Sequence, residues 1–133
     1  MVPVDRGGGS QAIAAMIERA CIELADNRQL IIFPEGTRRP AGADPRYKVG
    51  VAHLYVAGGV PCVPIALNSG LFWPRRSLQR FPGTVVAEIL DPIPPGLDKE
   101  TFFERLQSDI ETATARLIAE GRAKMGTDEL ARN

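Results

Sequence analysis

Between Gln11 and Asp26 apolar residues recur at Ile13, Ile17, Ala20, Cys21 and Leu24, a three-and-four spacing that predicts a helix with one buried face, stopped at Asn27. The pattern then changes. Leu30, Ile31, Ile32 and Phe33 form an unbroken β-branched and aromatic run, which predicts a strand covered on both faces in a parallel sheet. Pro34 ends that ladder and Gly36 permits a sharp turn. Val2-Pro3-Val4 reads as the last residues of an earlier strand, so strand, helix and strand predict a right-handed crossover unit. Residues 39–46, with Pro40, Gly42 and Pro45, predict a loop long enough to move over a ligand. Tyr47 to Ala57 predicts the next helix, closed by Gly58 and Gly59, and Val60 to Leu67 a further buried strand. Pro61 and Pro64 predict irregular pairing in that strand, or an edge position.

The longest predicted loop runs from Ser69 to Pro82, followed by a strand over Thr84 to Leu90 and a rigid link over Asp91 to Leu97. Asp98 predicts the cap of a helix whose Phe102, Phe103, Leu106, Ile110, Ala113, Leu117 and Ile118 form one apolar stripe. No apolar periodicity follows Gly121, which predicts a flexible tail over 122–133. The fold class is α/β, a mixed, mostly parallel sheet with flanking helices.

Composition narrows the function classes. With 133 residues, 44% of them hydrophobic, the chain can bury a core and is not disordered. Sixteen basic and sixteen acidic residues cancel, so no global field draws it to nucleic acid, and no nucleic-acid partner is expected. A local excess exists nonetheless, because Arg28, Arg38, Arg39, Arg46 and Lys48 face only Glu35 and Asp44 between positions 28 and 48. Cys21 and Cys62 lack metal-ligand spacing and read as buried small hydrophobes in a reducing compartment; no metal site is expected. No stretch reaches the about 18 to 20 apolar residues of a membrane span, so the chain is expected to be soluble or peripheral.

The basic zone coincides with the chemistry. Ligands of open α/β sheets bind outside the carboxyl ends of strands, where Glu35, Gly36, Thr37 and Arg38 would stand. Arg38 offers a planar fork for a phosphate or carboxylate, and Thr37 a hydroxyl. The plain alternative is a strand-to-loop corner whose Glu and Arg pair at the surface. Arg6 follows the first strand and would reach the same crevice, or else lie exposed beside Asp5. Gly7-Gly8-Gly9-Ser10 reads as a flexible turn feeding a helix cap, without the Lys-Ser/Thr of a nucleotide-binding loop. Lys48 near a helix start either meets an anion together with free backbone N–H groups or is solvated. In the long loop, Phe72 and Trp73 beside Arg75 and Arg76 suit a lipid–water interface, or the rings tuck over the core.

Phe33-Pro34-Glu35-Gly36-Thr37-Arg38 resembles the signature of the glycerolipid acyltransferases, the 1-acylglycerol-3-phosphate acyltransferase family. Three further segments agree in order and spacing: Val2-Pro3-Val4-Asp5-Arg6, Tyr47-Lys48-Val49-Gly50 and Val63-Pro64-Ile65-Ala66-Leu67-Asn68-Ser69. The resemblance runs from Val2 to about Gly121, an acyltransferase-like domain over 1–121 that represents the later part of such a domain. The family's His-x-x-x-x-Asp block is not met, since the one histidine, His53, is followed five residues on by Gly58. His53 sits on an apolar-rich helix and reads as a packed helical residue rather than a base.

The resemblance implies acyl transfer to the hydroxyl of a lysophosphatidate or glycerol phosphate in phospholipid synthesis, with acyl-CoA or acyl carrier protein as co-substrate and no other cofactor. In that scheme Arg6, Glu35, Gly36, Thr37, Arg38 and Lys48 hold the acceptor's phosphate, and Pro64 and Asn68 wall the acceptor site. Phe72, Trp73, Arg75 and Arg76 meet the membrane, which implies a cytoplasmic protein peripheral at the inner membrane face. Without the His/Asp pair the isolated chain is expected to be inactive. Other readings are a non-catalytic module binding glycerol phosphate or lipid, and an assembly partner whose exposed core is covered by another chain, including a homo-oligomer.

Overall fold

The protein is described here by a computed structural model covering residues 9–36, 44–73, 78 and 80–132, with side chains as far as Gly126. Its spine is the long helix near the carboxyl end, α3 (Lys99–Arg132). Asp98 caps it as the sequence predicts, accepting from the Thr101 backbone N–H at 3.1 Å and from its hydroxyl. Those bonds from Thr101 hold the Asp98 carboxyl below its usual range. Phe102, Leu106, Ala113, Leu117 and Ile118 are buried, so the predicted stripe is the core-facing side of the helix.

Two elements pack on that stripe. The first is α2 (Gly50–Gly58), whose Tyr55 ring lies flat on Phe102 with centroids 3.7 Å apart. The Tyr55 hydroxyl donates to the Pro94 carbonyl and accepts from the Leu97 backbone N–H at 3.1 Å, which pins the 91–97 link against the core. The second is an antiparallel pair of strands, β1 (Ile65–Leu67) and β2 (Ala87–Ile89), in the register Ile65–Ile89, Ala66–Glu88 and Leu67–Ala87. Side chains alternate across a strand, so Ala66 faces inward against Ala113 and Leu117, while Glu88 on the same face pairs with Arg116 of α3. Ile65, Leu67 and Ile89 are left on the outer face, exposed.

The first helix, α1 (Gly9–Ala25), lies against α2, with the Leu24 side chain at Gly58 and Met16 at Gly50. Its end shows why Asn27 is there. Asn27 takes the left-handed conformation (φ 58°), its N–H reaches the Leu24 carbonyl at 3.1 Å, and the Arg28 N–H reaches that of Glu23 at 3.1 Å. This is the paired-bond motif that satisfies the last carbonyls of a helix.

Four sequence expectations are corrected. Leu30 to Phe33 do not form a strand: Ile31 is 85% and Phe33 74% exposed, and no strand among the described residues pairs with them. An apolar run signals that burial is needed, not which element supplies it. The sheet of the described residues is antiparallel, not mostly parallel, and Val2 to Val4, on which the crossover unit rested, lie outside them. The buried strand expected over Val60 to Leu67 is reduced to β1 plus an isolated bridge between Cys62 and Ile93, with Val63, Ile65 and Leu67 exposed; its irregular pairing is as expected, since Pro61 and Pro64 have no N–H to give to a ladder. Finally, α3 continues past Gly121 to Arg132 instead of giving way to a tail; Ala, Lys, Met, Glu, Leu and Arg favour helix without an apolar stripe.

Candidate functional site

Phe33 to Gly36 form a tight turn closed by the Gly36 N–H donating to the Phe33 carbonyl at 2.9 Å, with Pro34 in the position that its fixed φ suits. Gly36 has φ 70°, a conformation that side-chain-bearing residues rarely adopt. Immediately beyond the 37–43 stretch the chain returns to this turn. The Lys48 backbone N–H donates to the Pro34 carbonyl at 2.7 Å, and the Lys48 side chain crosses Gly36, where an added Cβ would stand 3.7 Å from Lys48 Cγ. Glu35, Gly36 and Lys48 are thus brought together, with Glu35 half-buried and Lys48 exposed. Lys48 precedes α2 rather than lying inside it, since the helix begins at Gly50.

Arg6, Thr37, Arg38, Arg75 and Arg76 lie outside the described residues. Pro64 and Asn68 are both buried, and both have structural partners. The Pro64 carbonyl accepts from the Leu90 N–H at 2.9 Å. Asn68 clamps the chain before β2, its Oδ1 accepting from the Val86 N–H at 2.8 Å and its own N–H donating to the Val86 carbonyl at 3.3 Å. Asn68 also lines a cavity of about 100 Å³ together with Phe72, Val86, Leu117, Gly121 and Lys124. The Lys48 corner meets α3 at Glu111 and the Asn68 cavity meets it at Gly121, ten residues and so about 15 Å further along the helix. Asn68 therefore stands apart from the Glu35–Lys48 corner.

Phe72 is corrected as a surface residue. It is only 6% exposed, because Gly83 and Gly121 let it sit where any Cβ at Gly83 would run into its ring. Trp73 is 53% exposed with the Arg80 guanidinium 4.3 Å above its ring, a cation–π contact. His53 is half-buried on α2, its N–H bonded to the Val49 carbonyl at 3.3 Å within the first turn.

Two residues of this corner were not singled out by the sequence reading. The Tyr47 hydroxyl donates to Glu111 Oε1 at 2.9 Å, and its ring meets Phe103 edge-on at 6.5 Å. Burial first, then the Glu111 bond and charge, push the Tyr47 phenol well above its usual range, with Glu35 adding a smaller push. Tyr47 was visible only as the neighbour of Lys48, and nothing in the sequence links it to a residue 64 positions away.

A family model described as Acyltransferase matches residues 1–68, the part that holds the Glu35 turn, Lys48, Pro64 and Asn68. A 1-acyl-sn-glycerol-3-phosphate acyltransferase of Pseudomonas aeruginosa is 33% identical over 84 residues, which is 63% of this chain and 33% of that protein. The Cocos nucifera protein of the same name is 35% identical over 91 residues, 68% of this chain and 30% of its own. The human 1-acyl-sn-glycerol-3-phosphate acyltransferase alpha is 32% identical over 124 residues, 90% of this chain and 44% of its own. The chain therefore spans less than half the length of these relatives. No solved structure matches it.

Proposed function

The chain belongs to the glycerolipid acyltransferase family of 1-acylglycerol-3-phosphate acyltransferases, and from that premise we propose that it serves acyl transfer to the free hydroxyl of a lysophosphatidate or related glycerol phosphate in phospholipid synthesis. The donor is acyl-CoA or acyl carrier protein, with no further cofactor. This chain's part is to hold the acceptor. Arg38, Lys48 and Arg6 neutralise its phosphate, Thr37 and Gly36 offer a hydroxyl and an open backbone, and Glu35 orients an arginine or a glycerol hydroxyl. The observation that carries this reading is the Pro34 carbonyl–Lys48 N–H bond, which brings Lys48 back over Gly36. Fixing an acceptor hydroxyl in this way is a share of catalysis that needs no proton transfer by the holding residues. Calorimetric titration with glycerol 3-phosphate and with glycerol tests it. Saturable binding of the first and none of the second is the expected result, and equal behaviour of the two would overturn the phosphate assignment.

The same reading places the protein on the cytoplasmic side of a membrane as a peripheral contact. Its support is the loop around Trp73, where an exposed indole, Arg80 and the almost fully exposed Leu78 combine apolar and cationic groups. No helix among the described residues is long and apolar enough to cross a membrane.

A second reading, association with another copy or another chain, is favoured by the apolar outer face of the sheet, on which Ile89 is 73% exposed beside Ile65 and Leu67. Sedimentation over a concentration series is expected to show a mass that rises with concentration. A constant monomer mass would remove this reading.

A further inference from the structure

The described residues of the Glu35–Lys48 corner belong to no helix or strand, yet a phosphate site must be held within a fraction of an ångström to favour its ligand. One tie between the corner and the body of the protein is its own Tyr47. That side chain is turned inward onto α3, with the hydroxyl on Glu111 and the ring edge on Phe103. Lys48, the next residue, is exposed and lies across Gly36. Adjacent side chains with opposite exposure fix each other through the shared backbone, and the Lys48 N–H in turn holds the Pro34 carbonyl. A chain of three links results: Glu111 fixes Tyr47, Tyr47 fixes Lys48, and Lys48 fixes the Pro34–Gly36 turn.

We propose that Tyr47, through its hydrogen bond to Glu111, is a positioning residue that holds Lys48 and the Pro34–Gly36 turn in register for the acceptor's phosphate. The assignment rests on the phosphate-holding role argued above and extends it to α3. The donor is a neutral phenol and the acceptor a carboxylate, so the bond is charge-assisted and stronger than a neutral pair.

The test uses the full chain in four forms, wild type, Tyr47→Phe, Glu111→Ala and Glu111→Gln, each followed by amide hydrogen exchange and by calorimetric titration with glycerol 3-phosphate. Tyr47→Phe keeps the ring on Phe103 and removes only the hydroxyl; Glu111→Gln keeps an oxygen acceptor and removes the charge. In Tyr47→Phe and Glu111→Ala the Lys48 amide is expected to exchange faster and affinity to fall about tenfold, while the Leu106 and Leu117 amides of α3 keep the wild-type rate. Glu111→Gln is expected to stay within about threefold of wild type in affinity. Unchanged Lys48 exchange in Tyr47→Phe would overturn the assignment, as would faster exchange with unchanged affinity, which would make the bond purely structural. A wild type that binds no glycerol 3-phosphate would instead overturn the phosphate reading, and this assignment with it. Wild-type binding that Tyr47→Phe leaves unaltered removes this assignment alone.

Discussion

Replacing Arg38 with alanine is expected to weaken glycerol 3-phosphate binding by about 2 to 4 kcal/mol, a loss of roughly thirtyfold to a thousandfold. The size follows from the guanidinium's chemistry. Its flat fork matches two phosphate oxygens at once, and removing it leaves the bound charge without its best partner. Lys48→Ala is expected to cost less, because an ammonium is a point charge on a flexible stem, here exposed to solvent that screens it. Calorimetry on the two variants checks the order. Equal affinity of Arg38→Ala and wild type would remove Arg38 from the site.

Phe72→Ala is expected to lower stability by about 3 kcal/mol, near the bottom of the range for emptying a buried aromatic site. Phe72 is packed under Gly83 and beside Gly121, at whose position an added Cβ would already stand 2.7 Å from Leu71 Cδ1. Chain this closely packed cannot collapse freely into the vacated space, and the cavity beside Asn68 would grow. Trp73→Ser, one residue on, is expected to change stability by no more than about 0.5 kcal/mol, as exposed substitutions usually do, and to lower sedimentation with phospholipid vesicles. Urea denaturation and vesicle sedimentation on the same preparations separate the two rings. A large stability loss in Trp73→Ser, or none in Phe72→Ala, would reverse their assigned roles.

Local rules read well where the deciding interaction is local. The Asp98 cap, the α3 stripe from Phe102 to Ile118, the left-handed Asn27 stop and the Gly59 end of α2 all rest on neighbours within a turn or two, and the sequence pattern carries them. The run from Leu30 to Phe33 failed because strand formation is settled by a partner remote in sequence, and a run that is apolar on both sides says nothing of where that partner is. In the same way the pairing of β1 with β2, extended by Asn68 meeting Val86, joins residues eighteen or more positions apart. For the site, the motif residues Glu35, Gly36 and Lys48 were legible as types and order, and their meeting is visible in the backbone bond at Pro34. Tyr47 and Glu111 were not, since a phenol before a lysine and a glutamate in an amphipathic helix are each unremarkable until they touch. Phe72 and Trp73 read alike in the sequence and were divided by Gly83, whose missing side chain makes room for one ring only.

In the proposed function this chain grips the acceptor and supplies no base for its hydroxyl, which turnover of lysophosphatidate with acyl-CoA measures most directly. General base catalysis contributes a factor of about 10² to 10⁴, and the base must stand within hydrogen-bond reach of the proton it takes. The one histidine, His53, lies half-buried on α2 and is followed five positions on by Gly58 rather than an aspartate. The 133-residue chain is therefore expected to release no more free CoA than a protein-free control, with or without His53→Ala. Turnover above that control, abolished by His53→Ala, would contradict the account and make His53 the base.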